Sequence, residues 1–516
     1  MGTQLIYYWK NNERLLNIQV RCLASDHLLS DERLQLNAAE CLHSIVGWKV
    51  GKITDRMQLL VLFKRDMIEP IYKAVVNAEQ KSLQEEHYKF LKKMVQTLVE
   101  LGSQLCAIWS SKDGEKTKEQ IRPDNFDTYL NALLFFSQHP SIVVNYYANS
   151  LWAQFCRHPD ISKDEIFATY LPKWTEVASK KVVKIGLPSN DNHQSCAYSK
   201  LDFDNDEEFS SYFGRCRIIL LDTIRAVSNL NPVIPYQYVD GWLRSVLTQP
   251  LDMGHPMNNK CTESSPAYLE LSAIPNVLDA CLTSKGTSPY DDLQKVLSPA
   301  VELLKLCLDF QSSDPLIIST LLSCISSLFV VVGVTPGALM PTLNKIFACI
   351  TFGSNSDAVA STKNTSGCNT LMSKEVKSLR RHGCALLVKI GQRHPSALLG
   401  VFEHLRSTIV DELYQRRRAL QRMEYVTLIE GLVLVSNEHA NFDIQARFLE
   451  NVSSPVCNQL QALESVIANA GTFINHIGLD CVTGDLEKRG ENRGELAFCI
   501  QVIFLRHKLC LSIFFF

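Results

Sequence analysis

The sequence predicts an all-α protein, an α-solenoid superhelix of HEAT-type helical hairpins, and three observations predict it. Apolar residues recur at helical spacing in run after run. Short breaks, most of them holding a proline, divide those runs into pairs. The composition, 46% hydrophobic and 21% charged residues, is that of a packed chain, yet 516 residues exceed what one core fills. A solenoid escapes that limit because each hairpin contacts only its neighbours. With about 40–47 residues per HEAT unit, the chain holds roughly a dozen repeats.

The clearest pair spans residues 126–158. Phe126, Tyr129, Leu130, Leu133 and Leu134 fall at i, i+3, i+4, i+7 and i+8, one stripe of a helix. Val144, Tyr147, Ala148, Leu151, Trp152 and Phe155 repeat the pattern. His139-Pro140-Ser141 divides the two, because proline lacks the amide proton that would continue the first helix. Asp314-Pro315 and His394-Pro395-Ser396 divide later runs in the same way, and His158-Pro159-Asp160 opens another.

In chain order, the periodicity predicts helices over 34–47, 57–75 and 87–109, a charged loop over 110–125, the pair just described, and a helix over 163–185. Residues 186–213 differ in character. They hold Pro188, several Ser and Asn, and five acids, Asp202, Asp204, Asp206, Glu207 and Glu208. The expectation is a solvated acidic loop that starts the next helix, whose positive dipole end suits the carboxylates. The Asp-x-Asp-x-Asp spacing lacks the glycine and distal glutamate of a calcium loop. Helices are expected at 216–229 and 236–247, a loop at 250–266, and helices at 267–283, 291–308, 316–331 and 342–350. Low hydrophobicity marks 352–373 as a mobile insertion. Residues 374–437 read as helical, resuming at 397–413 after the His-Pro-Ser break, and 442–470 add a last pair. Residues 496–516 form an apolar tail beyond a solenoid of 1–495. Arg506-His507-Lys508 interrupts it, which favours a packed helix over a membrane span.

The chain starts without the basic and apolar regions of a signal peptide. Its 17 cysteines include no Cys-x-x-Cys and mostly lie inside apolar runs, as expected of reduced thiols in cytosol or nucleus. No phosphate-binding loop, His-Glu-x-x-His or Gly-x-Ser-x-Gly occurs, so neither enzyme chemistry, a cofactor nor a metal is expected.

Charge singles out one segment. Residues 374–422 carry eleven lysines and arginines against four acids, a net of +7 in a chain whose net is −2. The remainder therefore carries −9. Lys374, Lys377 and Arg381 fall at i, i+3 and i+7, and Arg416, Arg417, Arg418 and Arg422 follow on the next hairpin. Two such faces side by side could neutralise a polyphosphate backbone; solvated helix faces are the other reading.

Several stretches resemble one family. They include 34–42 (LQLNAAECL), the run Lys184-x-Gly186-x-Pro188-Ser189 through Asp202-Phe203-Asp204-x-Asp206-Glu207, Arg380-Arg381-His382-x-Cys384, and Met423-Glu424 through Ser436-Asn437. Distributed in order along the chain, they are similar to the exportin-5 family of karyopherins, in the importin-β superfamily. The resemblance implies a HEAT superhelix that shuttles between nucleus and cytoplasm, exporting double-stranded RNA such as pre-microRNA hairpins, and also transfer RNA, with Ran-GTP and passing nucleoporins. It implies no membrane. By position it makes Arg381, Gln421 and Arg422 part of a basic RNA-binding tunnel, within the +7 segment. A later basic tunnel residue of the family falls near 493–495, where Glu495 is acidic. Family members are longer, so the expectation is a fragment or incomplete gene model lacking the main N-terminal Ran surface. The alternative is a HEAT scaffold binding proteins alone.

Overall fold

The computed structural model describes residues 20–47, 56–80, 83–109, 122–254, 260–282, 290–333, 335–353, 372–479 and 486–513. Among them every regular element is helical, with no strand. The chain divides into two compact units, one of Met1–Leu251 with Leu269–Ala300, the other of Asp252–Tyr268 with Val301–Phe516.

The first unit holds α1 (Asp26–Ser30), α2 (Gln35–Val46), α3 (Arg65–Glu79), α4 (Glu85–Trp109), α5 (Phe126–Gln138), α6 (Ile142–Arg157), α7 (Glu165–Lys181), α8 (Gln194–Asp202), α9 (Asp206–Leu230) and α10 (Val233–Thr248). Side-chain contacts give the stacking directly. Phe126 at the start of α5 meets Phe155 at the end of α6, so the two are antiparallel. Tyr88 bonds Ser141, 2.6 Å away, and Ser103 bonds Gln154, 3.2 Å away, so α4 runs parallel to α6. Tyr170 donates to the Asp127 carbonyl at 2.9 Å, and Lys181 to the His139 carbonyl at 2.7 Å, so α7 runs parallel to α5. Antiparallel pairs whose equivalent helices run parallel are the repeat geometry of an α-solenoid.

The expected apolar stripe of α5 is buried throughout, and in α6 only Tyr147 stays half-exposed. The break between them is built by side chains. Ser141 Oγ accepts from the Val144 amide at 3.3 Å, an N-cap, and His139 Nδ1 accepts from the Ser141 amide at 3.0 Å. Burial, aided by the Lys181 charge, lowers the His139 pKa to about 3.

Residues 186–213 are not the solvated loop expected. They contain α8 and the first turns of α9. Asp202, its side chain only 7% exposed, bonds Tyr88 Oη and pairs with Lys92 at 3.0 Å. Phe203 turns inward with Phe209 and Phe213 onto Ile142 and Val143. Apolar residues among the acids outweighed local polarity: the phenylalanines had a core to fill. The acids Asp206, Glu207 and Glu208 do occupy the first turn of α9.

α11 (Pro266–Leu282) and α12 (Tyr290–Asp309) each hold residues of both units. The second unit also holds α13 (Pro315–Leu328), α14 (Leu339–Ile350), α15 (Lys374–Arg393), α16 (Pro395–Leu399), α17 (Phe402–Arg406), a π-helix (Ser407–Arg416), α18 (Arg422–Ser436), α19 (Phe442–Ala462), α20 (Glu464–Ile467), α21 (Ala470–Ile477) and α22 (Leu486–Ile513). Asp314 caps α13, accepting from the Leu316 and Ile317 amides at 2.9 and 3.3 Å, with Pro315 in the first turn. The stretch Pro315–Gly333 is long and apolar enough to cross a membrane, but it is 67% buried against the protein, which makes it a core helix. Ser319 bonds His382, and Lys389 bonds Ser326, so α13 and α15 run parallel.

The run expected over 397–413 breaks at Gly400 and then widens into the π-helix. The boundary expected at residue 495 falls inside α22. Most of the insertion expected at 352–373, and of the loop at 110–125, lies outside the described residues.

Candidate nucleic-acid interface

The basic segment belongs to the second unit, and its helices sort its charges. Ser373 caps α15 by accepting from the Val376 amide at 3.3 Å. Leu379, Gly383, Leu386, Leu387 and Ile390 are buried along one side. Lys374 and Arg381 are exposed and Lys377 is half-buried, on the face their spacing predicts.

Arg380 does the opposite. It is 0% exposed. Its Nε and Nη2 donate to Glu424 Oε1 and Oε2 at 2.8 and 2.6 Å, and Nη2 also donates to the Ala419 carbonyl at 2.6 Å. This is a bidentate, charge-assisted pair joining α15 to α18. A signal existed in the sequence. Position 380 lies four residues after Val376 and three before Gly383, on the buried line rather than the basic face, so one of the eleven basic residues is neutralised internally.

α15 and α18 run parallel at close range. Arg380 meets Glu424 near their starts, and a Cβ on Gly391 would lie 3.1 Å from the Gly431 carbonyl further along. That register puts Arg381 and Arg422 at matching heights on neighbouring helices.

Between the two helices comes the arginine turn. Ile409 and Leu413 bury one side of the π-helix. Beyond it the Arg417 amide donates to the Glu412 carbonyl and the Ala419 amide to the Leu413 carbonyl, each at 2.9 Å. Arg418 takes a φ of 50°, a left-handed conformation costing a non-glycine residue about 1–2 kcal/mol. Arg416, Arg417 and Arg418 are all exposed. Arg417 pairs with Glu412 at 2.5 Å, and Arg406 with Glu403 at 2.8 Å and Asp411 at 3.5 Å. Lys374, Lys377, Arg381, Arg416 and Arg418 have no such side-chain partner among the described residues.

Gln421 is the N-cap of α18. Its side chain accepts from the Glu424 amide, while Glu424 Oε2 accepts from the Gln421 amide at 2.9 Å, a capping box. Gln421 is exposed but already employed. Arg422 is exposed and reaches towards α22, its Nη1 3.7 Å from where a Cβ on Gly494 would stand. The rings of Tyr414 and Tyr425 stack beside it, centroids 3.8 Å apart. Burial raises both their pKa values, so both phenols stay neutral. Burial, with the nearby Lys389 charge, lowers the His382 pKa, and this neutral imidazole beside Arg381 bonds Ser319 at 2.7 Å.

The arrangement offers cations without an ion pair, Lys374, Lys377 and Arg381 on α15 and Arg416 and Arg418 at the end of the π-helix and in the turn after it, and, among the described residues, no group of metal-binding side chains. It can hold phosphates by charge and by arginine forks.

Comparison with known proteins follows the same lines. The family model for the exportin-5 family matches residues 85–492. Exportin-5 of Homo sapiens is 31% identical over 501 residues, covering 94% of this chain and 40% of its own length. Exportin-5 of Mus musculus is 32% identical with the same coverage, and that of Dictyostelium discoideum 23% identical over 503 residues, covering 93% and 41%. The chain thus spans about 40% of the length of these relatives. Among solved structures, Kap121p bound to Pho4p aligns over 86% of this chain and 48% of its own at 13% identity, with a TM-score of 0.28, too loose an overlay to carry weight. With the family model spanning residues 85–492, the chain belongs to the exportin-5 family.

Proposed function

We propose that this chain is the cargo-binding part of a nuclear export receptor, taking structured double-stranded RNA, such as a pre-microRNA hairpin, out of the nucleus with Ran-GTP. Family membership supports the transport role, shuttling between nucleus and cytoplasm and contact with nucleoporins. One observation carries the RNA reading: Lys374, Lys377, Arg381, Arg416 and Arg418 form no ion pair among the described residues and lie on α15 and at the arginine turn of one unit. Duplex RNA is recognised mainly through phosphates and shape, a task that needs fixed cations and no catalytic group. Arg417, Gln421 and Arg422 complete the proposed set. Transfer RNA offers the same backbone and would compete.

Filter binding of a hairpin RNA over a salt series tests the reading. The expected result is a steep loss of affinity with salt, and a shallower slope when Lys374, Arg381, Arg416 and Arg418 become glutamine. A slope near zero, or no change in the variant, would refute RNA binding here and leave a protein-only scaffold. Pull-down with Ran-GTP, with and without the RNA, reads the partner separately.

A further inference from the structure

The basic segment holds one arginine that cannot touch a ligand, and it is the best-anchored of all. Arg380 is fully buried, with both its bonded nitrogens on Glu424 and one of them also on the Ala419 carbonyl. Ala419 directly follows Arg418, the residue forced to a φ of 50°. Glu424, in turn, caps the amide of Gln421 on the other side of the same turn. One buried ion pair therefore grips the chain directly after the arginines, at 419 from α15 and at 421 from α18. Arg417 and Arg418 lie between these anchors and Arg416, the last residue of the π-helix.

We infer that Arg380 is a positioning residue: through Glu424 and the Ala419 carbonyl it holds Arg418 in its left-handed conformation, and so presets the turn that carries Arg416 and Arg418 for phosphate. Left-handed arginine persists only where its surroundings impose it. An arginine fork preset in one orientation gives up less side-chain entropy on binding than a free one. The inference rests on the RNA-binding reading above and adds to it a residue that reaches the ligand only through others.

Two variants test it, Arg380→Met and the milder Glu424→Gln, which keeps an acceptor for the Gln421 amide. Hydrogen exchange reads the turn itself. The amides of Arg417 and Ala419 should exchange much faster in Arg380→Met, while those in the middle of α15 and α18 keep their protection. RNA binding, measured well below the unfolding transition, should weaken about 10-fold, the worth of one charge-assisted contact. Its salt slope should become shallower by about 1 for each arginine misplaced. Glu424→Gln should fall between Arg380→Met and the parent. A variant that unfolds more easily yet binds with the parent's affinity and slope would overturn the inference, leaving Arg380 a purely structural clamp. Unchanged exchange at 417 and 419 would overturn it as well. A parent chain that fails to bind the hairpin would instead refute the RNA reading, and the inference with it.

Discussion

Single residues carry most of what can be tested at once. Breaking the buried pair in Arg380→Met leaves the Glu424 carboxylate without its counter-ion, and the expected loss is about 3–5 kcal/mol of stability. Urea unfolding of Arg380→Met, set beside the double variant Arg380→Met/Glu424→Gln, checks this, because neutralising the stranded acid should recover part of the loss. His139 makes a pH prediction. Burial first, then the Lys181 charge, lowers its pKa from 6.5 to about 3. The unfolded chain therefore takes up a proton near pH 6.5 that the folded chain refuses until about pH 3. The contribution is complete above pH 6.5 and is lost progressively as pH falls through that window. His139→Asn, which can still accept from the Ser141 amide, should flatten the fall in a stability-versus-pH series. At this scale the sequence was legible where a break acts locally: helices part at His139-Pro140-Ser141 and Asp314-Pro315 as expected, and the structure adds that Ser141 and Asp314 cap the helices that follow. It was not legible where charge alone was counted. Arg380 sat in a basic run; its place on the apolar side of α15 was readable, but its partner Glu424, 44 positions on, was not.

Helices were readable wherever an apolar stripe and a proline break agreed: α5, α6 and α15 lie within a residue or two of their expected bounds, and α13 ends three residues short of its own, where a 3-10 turn takes over. They were unreadable where tertiary packing overrode local polarity, as in α8, or where hydrogen-bond registry changed, as in the π-helix. No side-chain pattern distinguishes a π turn from an α turn over ten residues. The closeness of the stacked helices gives the prediction proper to this scale. Gly102 in α4 faces Leu151 of α6 and Tyr129 of α5, and a Cβ there would overlap both. On helix propensity Gly102→Ala should stabilise by about 1 kcal/mol. Overpacking should reverse that sign, with a net loss of about 1–3 kcal/mol, read as a lower melting temperature. A higher one would show that α4, α5 and α6 pack less tightly than their stripes imply.

Across the whole chain, near-neutral charge conceals a division: +7 over residues 374–422 and −9 elsewhere. The exposed share of that positive charge is smaller than the count, since Arg380, Arg406 and Arg417 spend theirs on acids of the same unit. Lys389, Arg393 and Arg422 have partners as well, and under the proposed function the other five, Lys374, Lys377, Arg381, Arg416 and Arg418, mark where RNA should lie. Family membership was legible from motifs scattered in order over the sequence, as the family model's match over residues 85–492 agrees. The interface was legible only as a charged segment; which of its residues face solvent depended on the register between α15 and α18. The most direct test is photocrosslinking of a hairpin RNA to the full chain, with the crosslinked peptides identified by mass spectrometry. The account predicts crosslinks at the start of α15, around Lys374–Arg381, and in the Arg416–Arg418 turn. Crosslinks confined to the unit of Met1–Leu251 would contradict it.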